Sequence, residues 1–283
     1  TPRDLSGMMA GQCYYVPIVD ETGGMLNDPV ALKLSDERWW ISIADSDLLY
    51  WVKGLAQGYR LDVLVDEPDV SPLAVQGPKA DELMARVFGE SANALKFFRF
   101  GWFDFEGQTM AIARSGYSKQ GGFEIYVPNT EIGMPLWNAL FAAGEDLNVR
   151  AGCPNAIERV EGGLLSYGND MTRENTPHEC GLGRFCSTQT AIGCVGRDAL
   201  LRVAKEGPNQ QIRPFVIDGE IPPCDRVWPL YAGGKRIGRI TSAGASPDFG
   251  VNVAMGMVRM THWDPGTTVE VETPDGIHKA TVA

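Results

Sequence analysis

Beyond Gln210 the chain is cut into short apolar runs, at 212–217, 228–231, 236–241, 251–257 and 268–273, separated by stretches carrying Gly, Pro or Asp. Even spacing of such runs with turn residues between them is the pattern of a small barrel or sandwich. Gly supplies the positive φ and Pro the missing N–H that end one strand before the next begins. The change of texture falls at Lys205-Glu206-Gly207-Pro208-Asn209, so residues 206–283 are expected to form a C-terminal β-barrel domain.

Residues 1–205 read differently. Strands are expected at 14–19 and 29–34 around the turn Glu21-Thr22-Gly23-Gly24, with a third at 38–43. A helix over 45–57 follows, capped by Asp45 or Ser46, with Leu48, Leu49, Val52 and Leu55 on one face, and then a strand at 61–65. The order β-β-β-α-β predicts a mixed α+β layer rather than a doubly wound parallel sheet. After Glu67-Pro68-Asp69 come a strand at 73–75, a helix at 78–87, a hairpin of 97–105 with 109–114, and helices at 131–143 and 155–165. Two sub-blocks are expected, about 1–68 and 69–205.

Composition narrows the function classes. The 283 residues are 44% hydrophobic and 22% charged, as in a globular protein with ample core. A net charge of −11 argues against binding nucleic acid through its phosphates. No apolar run is long enough to cross a bilayer and no basic-then-apolar leader stands at the start, so no membrane partner and a cytoplasmic location are expected. Cys13, Cys153, Cys180, Cys186, Cys194 and Cys224 include no Cys-x-x-Cys pair. With His178 nearby their spacings match no common zinc pattern, and they read as reduced thiols with no metal. Thr1-Pro2-Arg3-Asp4-Leu5 reads as the interior of a folded unit, so an N-terminal part is expected to be lacking.

The most specific stretch is Arg114-Ser115-Gly116-Tyr117-Ser118-Lys119-Gln120-Gly121-Gly122-Phe123-Glu124-Ile125-Tyr126-Val127. A Gly-rich polar turn enters an alternating strand, so Glu124 and Tyr126 share one face while Phe123 and Ile125 take the other. An acid and a phenol on one wall suit a flat heterocycle with ring N–H donors. The stretch resembles the Gly-Tyr-Thr-Gly-Glu-Asp-Gly-Phe-Glu signature of the glycine-cleavage T-protein superfamily of folate-dependent aminomethyltransferases. Its Ser-Lys-Gln-Gly-Gly turn is similar to the version found in the dimethylsulfoniopropionate demethylase family.

Further motifs follow in family order. Gly23-Gly24-Met25-Leu26-Asn27-Asp28-Pro29 is similar to the T-protein Gly-Gly-Ile-Ile-Asp-Asp-Leu, with Asn27 in place of the first Asp. Arg150-Ala151-Gly152-Cys153-Pro154-Asn155 and Tyr167-Gly168-Asn169-Asp170-Met171 favour the demethylases. Residues 157–170, Thr176-Pro177-His178-Glu179 and Gly238-Arg239-Ile240-Thr241-Ser242 also match the superfamily.

The resemblance implies folate-binding α+β domains with mixed sheets of the aminomethyltransferase type, followed by the small barrel. It implies that Asp28 serves the reacting folate nitrogen as orienter or proton acceptor, that Glu124 receives the pterin N–H groups, and that Tyr126 is their neighbour. Tyr15 of Cys13-Tyr14-Tyr15, Ser42 of Trp39-Trp40-Ile41-Ser42, and Tyr117 are implied to line the donor cavity. Tyr117 stands where part of the demethylase family carries Trp. Arg159 is read as a structural ion pair, with a folate carboxylate as the alternative, and His178 as incidental. The implied reaction moves a methyl group from the sulfonium dimethylsulfoniopropionate to tetrahydrofolate, with no metal, flavin or nicotinamide. The partners are then a small-molecule sulfonium and folate; whether the chain is a homodimer stays open. Two other readings also stay open: a folate-dependent enzyme using another methyl donor, and a non-catalytic folate-binding homologue.

Overall fold

Both faces of the strand Gly122–Val127 are covered, and that sandwiching organises one half of the structure. The computed structural model describes residues 1–44, 47–187 and 193–283. The chain forms two packed units: Gly7–Tyr15 with Pro29–Pro154, and Thr1–Ser6 with Val16–Asp28 and Asn155–Ala283. Residues on either side of 68 therefore share a unit.

In the Pro29–Pro154 unit, an antiparallel sheet runs in the order Ser71–Gln76, Gly122–Val127, Gln108–Ala113, Phe100–Phe105. Phe123, Ile125 and Val127 point at the helices Ala80–Phe88 and Thr130–Ala143, where Met84, Ile132, Leu136 and Leu140 complete a core. Fully burying Phe123 or Ile125 is worth about 1.5–3 kcal/mol each. The longer helix starts where the Asn129 side chain accepts a hydrogen bond from Ile132 N at 3.1 Å.

On the opposite face Tyr126, Ala111, Ala113 and Phe100 pack with Cys13 and Leu32 from a second sheet, ordered Cys13–Tyr15, Val30–Lys33, Trp39–Ser42. The helix Leu48–Gly58 follows; its expected caps Asp45 and Ser46 lie outside the described residues. The strand expected at 61–65 is not formed. Its residues find no neighbouring strand, and Leu61, Val63 and Leu64 are exposed. A strand needs ladder partners for its N–H and C=O groups, and an apolar run alone does not provide them.

The strand expected at 14–19 is broken. Cys13–Tyr15 pairs with Val30–Lys33, whereas Ile18–Val19 pairs with Met25–Asn27 in the other unit. Pro17, which has no N–H to donate, stands at the break.

In the Asn155–Ala283 unit, a closed barrel is ordered Gln210–Ile217, Val251–Arg259, Lys235–Ser246, Trp228–Ala232, Thr268–Thr273, Gly276–Val282 and back to the first. Closure removes both sheet edges. Phe215, Trp228, Leu230, Ile240, Val258 and Val271 fill its interior. The helix Ala156–Glu161 packs on the strands Lys235–Ser246 and Val251–Arg259 and is capped by Asn155, whose side chain accepts from Ile157 N at 2.8 Å. A helix at Arg197–Glu206, not anticipated above, packs against the hairpin turn at Gly23 through Ala199 and Leu200. A Cβ at Gly196 would stand 2.3 Å from Asp20 O, and its φ is +77°, so only glycine fits there.

Candidate active site

Cross-strand register sets the wall. Glu124 lies between Ala74 and Ala113, and Tyr126 between Pro72 and Ala111, so both polar side chains rise from a face flanked by small residues. Ser115 donates its hydroxyl hydrogen bond to Glu124 Oε2. Glu124 Oε1 has no hydrogen bond among the described residues. Tyr126 is 4% exposed, and its hydroxyl has no hydrogen-bond partner of ordinary geometry among them. Burial first, then the Glu124 carboxylate, raises the Tyr126 phenol above its usual pKa, and the nearby Ser42 side chain pulls the other way. The phenol stays neutral and can donate one hydrogen bond.

Tyr15 pairs with Val30, and Val30 with Ser42, so these three stand in one row; Cys13, Leu32 and Trp40 form the parallel row on the same face. The second row packs against Tyr126, which puts Tyr15 and Ser42 on the wall's side and Tyr14 on the other. Trp40 lies 5.7 Å from the Tyr126 ring and 6.2 Å from Trp102, centroid to centroid. The Cys13 thiol is 1% exposed and pushed up to about 12 by burial and then by Glu124, with Arg99 opposing. It remains a thiol. Tyr117 is half-buried in the turn that leads into the Glu124 strand.

Asp28 belongs to the other unit, at the end of Met25–Asn27, where its N–H donates to Asn27 Oδ1 at 2.9 Å. The hairpin carrying it is firmly held. Asp20, fully buried, accepts from Thr22 N at 2.8 Å, Thr22 Oγ1 at 2.7 Å and Gly24 N at 3.0 Å, and pairs with Arg173. Burial alone would raise the Asp20 carboxyl; the bonds from Thr22, Arg173 and Gly24 outweigh it and hold the pKa below its ordinary value. Tyr167 donates to Met25 O at 3.1 Å, and Met25 N to Asn175 O at 2.8 Å. A Cβ on Gly24 would meet Arg173 O at 2.2 Å, which accounts for the second glycine of the Gly-Gly motif. Burial, and then the Glu179 and Asp28 charges, push the Cys180 thiol up.

Arg159 is structural. It donates to Asp170 Oδ2 at 2.7 Å and Ser242 Oγ at 2.6 Å, while Asp170, fully buried, also accepts from Ser166 N, Thr241 and Ser242. The sequence reading missed Asp20, Asp170, Ser115 and Gln76. Asp170 and Ser115 stood inside quoted motifs, and Asp20 just ahead of one. Gln76 carried no local signal. Among the described residues no group of three or more His, Cys, Asp or Glu side chains is arranged to hold a metal ion. Depressions of about 560 Å³ beside Leu48–Gly58 and about 330 Å³ on the barrel contain none of the candidate site residues.

Residues 1–190 match the family described as the GCVT N-terminal domain, and residues 210–283 match the glycine cleavage T-protein C-terminal barrel domain. The chain belongs to the glycine cleavage T-protein family. Within that family it is 62% identical, over 282 residues, to the dimethylsulfoniopropionate demethylase DmdA of Ruegeria pomeroyi, covering 100% of this chain and 77% of that protein. It is 29% identical to an aminomethyltransferase of Thermoanaerobacter pseudethanolicus, over 95% of this chain and 74% of the relative. The T-protein family fold is similarly evident in the crystal structure of glycine cleavage system aminomethyltransferase T from Bartonella henselae. That structure superposes with a TM-score of 0.82 at 26% identity, covering 99% of this chain and 77% of that one.

Proposed function

We propose that this protein is a tetrahydrofolate-dependent methyltransferase that demethylates dimethylsulfoniopropionate, giving 3-methylmercaptopropionate and 5-methyltetrahydrofolate. The observation that carries this reading is the 62% identity to a dimethylsulfoniopropionate demethylase along the whole chain, against 29% to the aminomethyltransferase. No described helix is long and apolar enough to cross a membrane, and the reading assigns the enzyme to the cytoplasm, with its small-molecule substrates.

The wall suits a pterin. A carboxylate with one oxygen held by Ser115 and the other open among the described residues can take paired ring N–H groups, and the Tyr126 phenol, on the same face, can donate one hydrogen bond to a ring heteroatom. Hydrogen bonds to a charged group are worth about 1.5–3 kcal/mol each.

Tetrahydrofolate, when bound, supplies the N5 lone pair that takes the methyl carbon. The C–S bond breaks with its electron pair going to sulfur, so the leaving group is a neutral thioether and the protein need supply no general acid. Asp28 orients the N5 group and receives its proton. Tyr15 and Tyr117 hold the sulfonium through their ring faces, at about 0.5–2 kcal/mol each, without offering a competing nucleophile. Ser42 lines the same face. Alignment of nitrogen, carbon and sulfur can contribute about 7–11 kcal/mol. The test is to mix the protein with tetrahydrofolate and dimethylsulfoniopropionate and to measure methylated folate. Folate binding without product would favour the non-catalytic homologue; product from other methyl donors alone would overturn the donor assignment.

A further inference from the structure

Within that reading, the contacts of Gln76 define a role that the family motifs leave unassigned. Gln76 ends the strand beside Gly122–Val127 and faces the same way as Glu124, since it pairs with Gly122 two residues earlier on the same strand. Its amide nitrogen donates to Ser115 O at 3.0 Å and to Phe123 O at 3.1 Å, one bond to each end of the signature turn. Its amide oxygen accepts from Ser118 Oγ at 2.6 Å, inside that turn. The glycines of the motif make room for it: a Cβ on Gly116 would stand 2.1 Å from Gln76 Oε1, and one on Gly122 would stand 3.0 Å from Gln76 Nε2. Ser115, 4% exposed and held by its carbonyl, is the residue that donates to Glu124 Oε2.

We propose that Gln76 and Ser115 are positioning residues for folate: the Gln76 carboxamide clamps the turn so that the Ser115 hydroxyl fixes one oxygen of Glu124 and leaves the other aimed at the ligand. A carboxylate pinned at one oxygen has lost its rotational freedom before the ligand arrives, and so binds it with less further ordering.

The experiment measures tetrahydrofolate dissociation constants, initial rates and melting temperatures for wild type, Ser115→Ala, Ser115→Thr and Gln76→Leu. Ser115→Ala should raise the dissociation constant roughly tenfold, the scale of one hydrogen bond to a charged group. At saturating folate its kcat should stay within about twofold and its KM for dimethylsulfoniopropionate should be unchanged. Ser115→Thr, which keeps the hydroxyl, should recover most of the affinity. Gln76→Leu should show the same KM-against-kcat split. If Gln76→Leu does not fold, the Ser115 pair still decides, because alanine removes the hydroxyl and threonine keeps it, each with little change in the buried chain. Unchanged folate affinity in Ser115→Ala would overturn the proposal, as would loss in both Ser115 variants alike. A wild type that binds no tetrahydrofolate would instead bring down the functional reading itself.

Discussion

Replacing Tyr126 by Phe should make the free protein more stable and the folate complex weaker. The Tyr126 hydroxyl is buried without a hydrogen-bond partner of ordinary geometry among the described residues, although Ser42 stands near it. A buried donor left unmade costs about 1–3 kcal/mol, and Phe removes it while keeping the ring that packs on Trp40, Cys13 and Leu32. A gain of about 1 kcal/mol raises the melting temperature of a protein of this size by roughly 2–4 °C. If the hydroxyl finds its partner in the pterin, the same substitution forfeits a neutral hydrogen bond of about 0.5–1.5 kcal/mol, a roughly two- to tenfold loss of affinity. Calorimetric melting with and without tetrahydrofolate reads both quantities on one sample. A melting temperature lowered in the free protein, with folate binding unchanged, would refute the reasoning, because the hydroxyl would then be satisfied from within. Ser42→Ala in the Tyr126→Phe background would then show whether Ser42 was the partner.

Asp28→Asn should lower kcat by about a hundredfold, the scale of a lost general base, with little change in tetrahydrofolate affinity; single-turnover formation of methylated folate checks it. Glu124→Gln should weaken folate binding more than it slows the bound complex, measured by the same titration. Tyr117→Ala should raise the KM for dimethylsulfoniopropionate by roughly two- to thirtyfold through the lost cation–π contact, and an unchanged KM would return Tyr117 to a packing role. Asp20 contributes acid sensitivity. Its folded pKa is depressed, so the unfolded chain takes up the proton first. Its stabilisation is complete above about pH 5 and is lost as the pH falls through the folded value, a limb that Asp20→Asn should remove from an acid-denaturation profile. Arg159→Met should cost about 3–5 kcal/mol in urea unfolding, because the fully buried Asp170 loses its ion-pair partner, and adding Asp170→Asn should recover part of that loss.

Period-two alternation was enough to put Glu124 and Tyr126 on one face of their strand and Phe123 and Ile125 on the other, because a half-polar strand has only one way to meet two different neighbours. The same rule separated Tyr15 from Tyr14. The strand expected at 61–65 rested on an apolar run broken only by Asp62, and such a run says that residues could be buried and not whether another strand lies beside them. The unread helix Arg197–Glu206 carried an adequate signal in Ala199, Leu200 and Val203. What no local pattern could supply was Gln76. It lies 39 residues from Ser115 and 47 from Phe123 in the chain, and its part in the turn exists only because antiparallel pairing brings the strand ends together. A motif records which residues a site needs next to one another in sequence; the residue that holds them at the working angle came from another strand, and only the register of the folded sheet could name it.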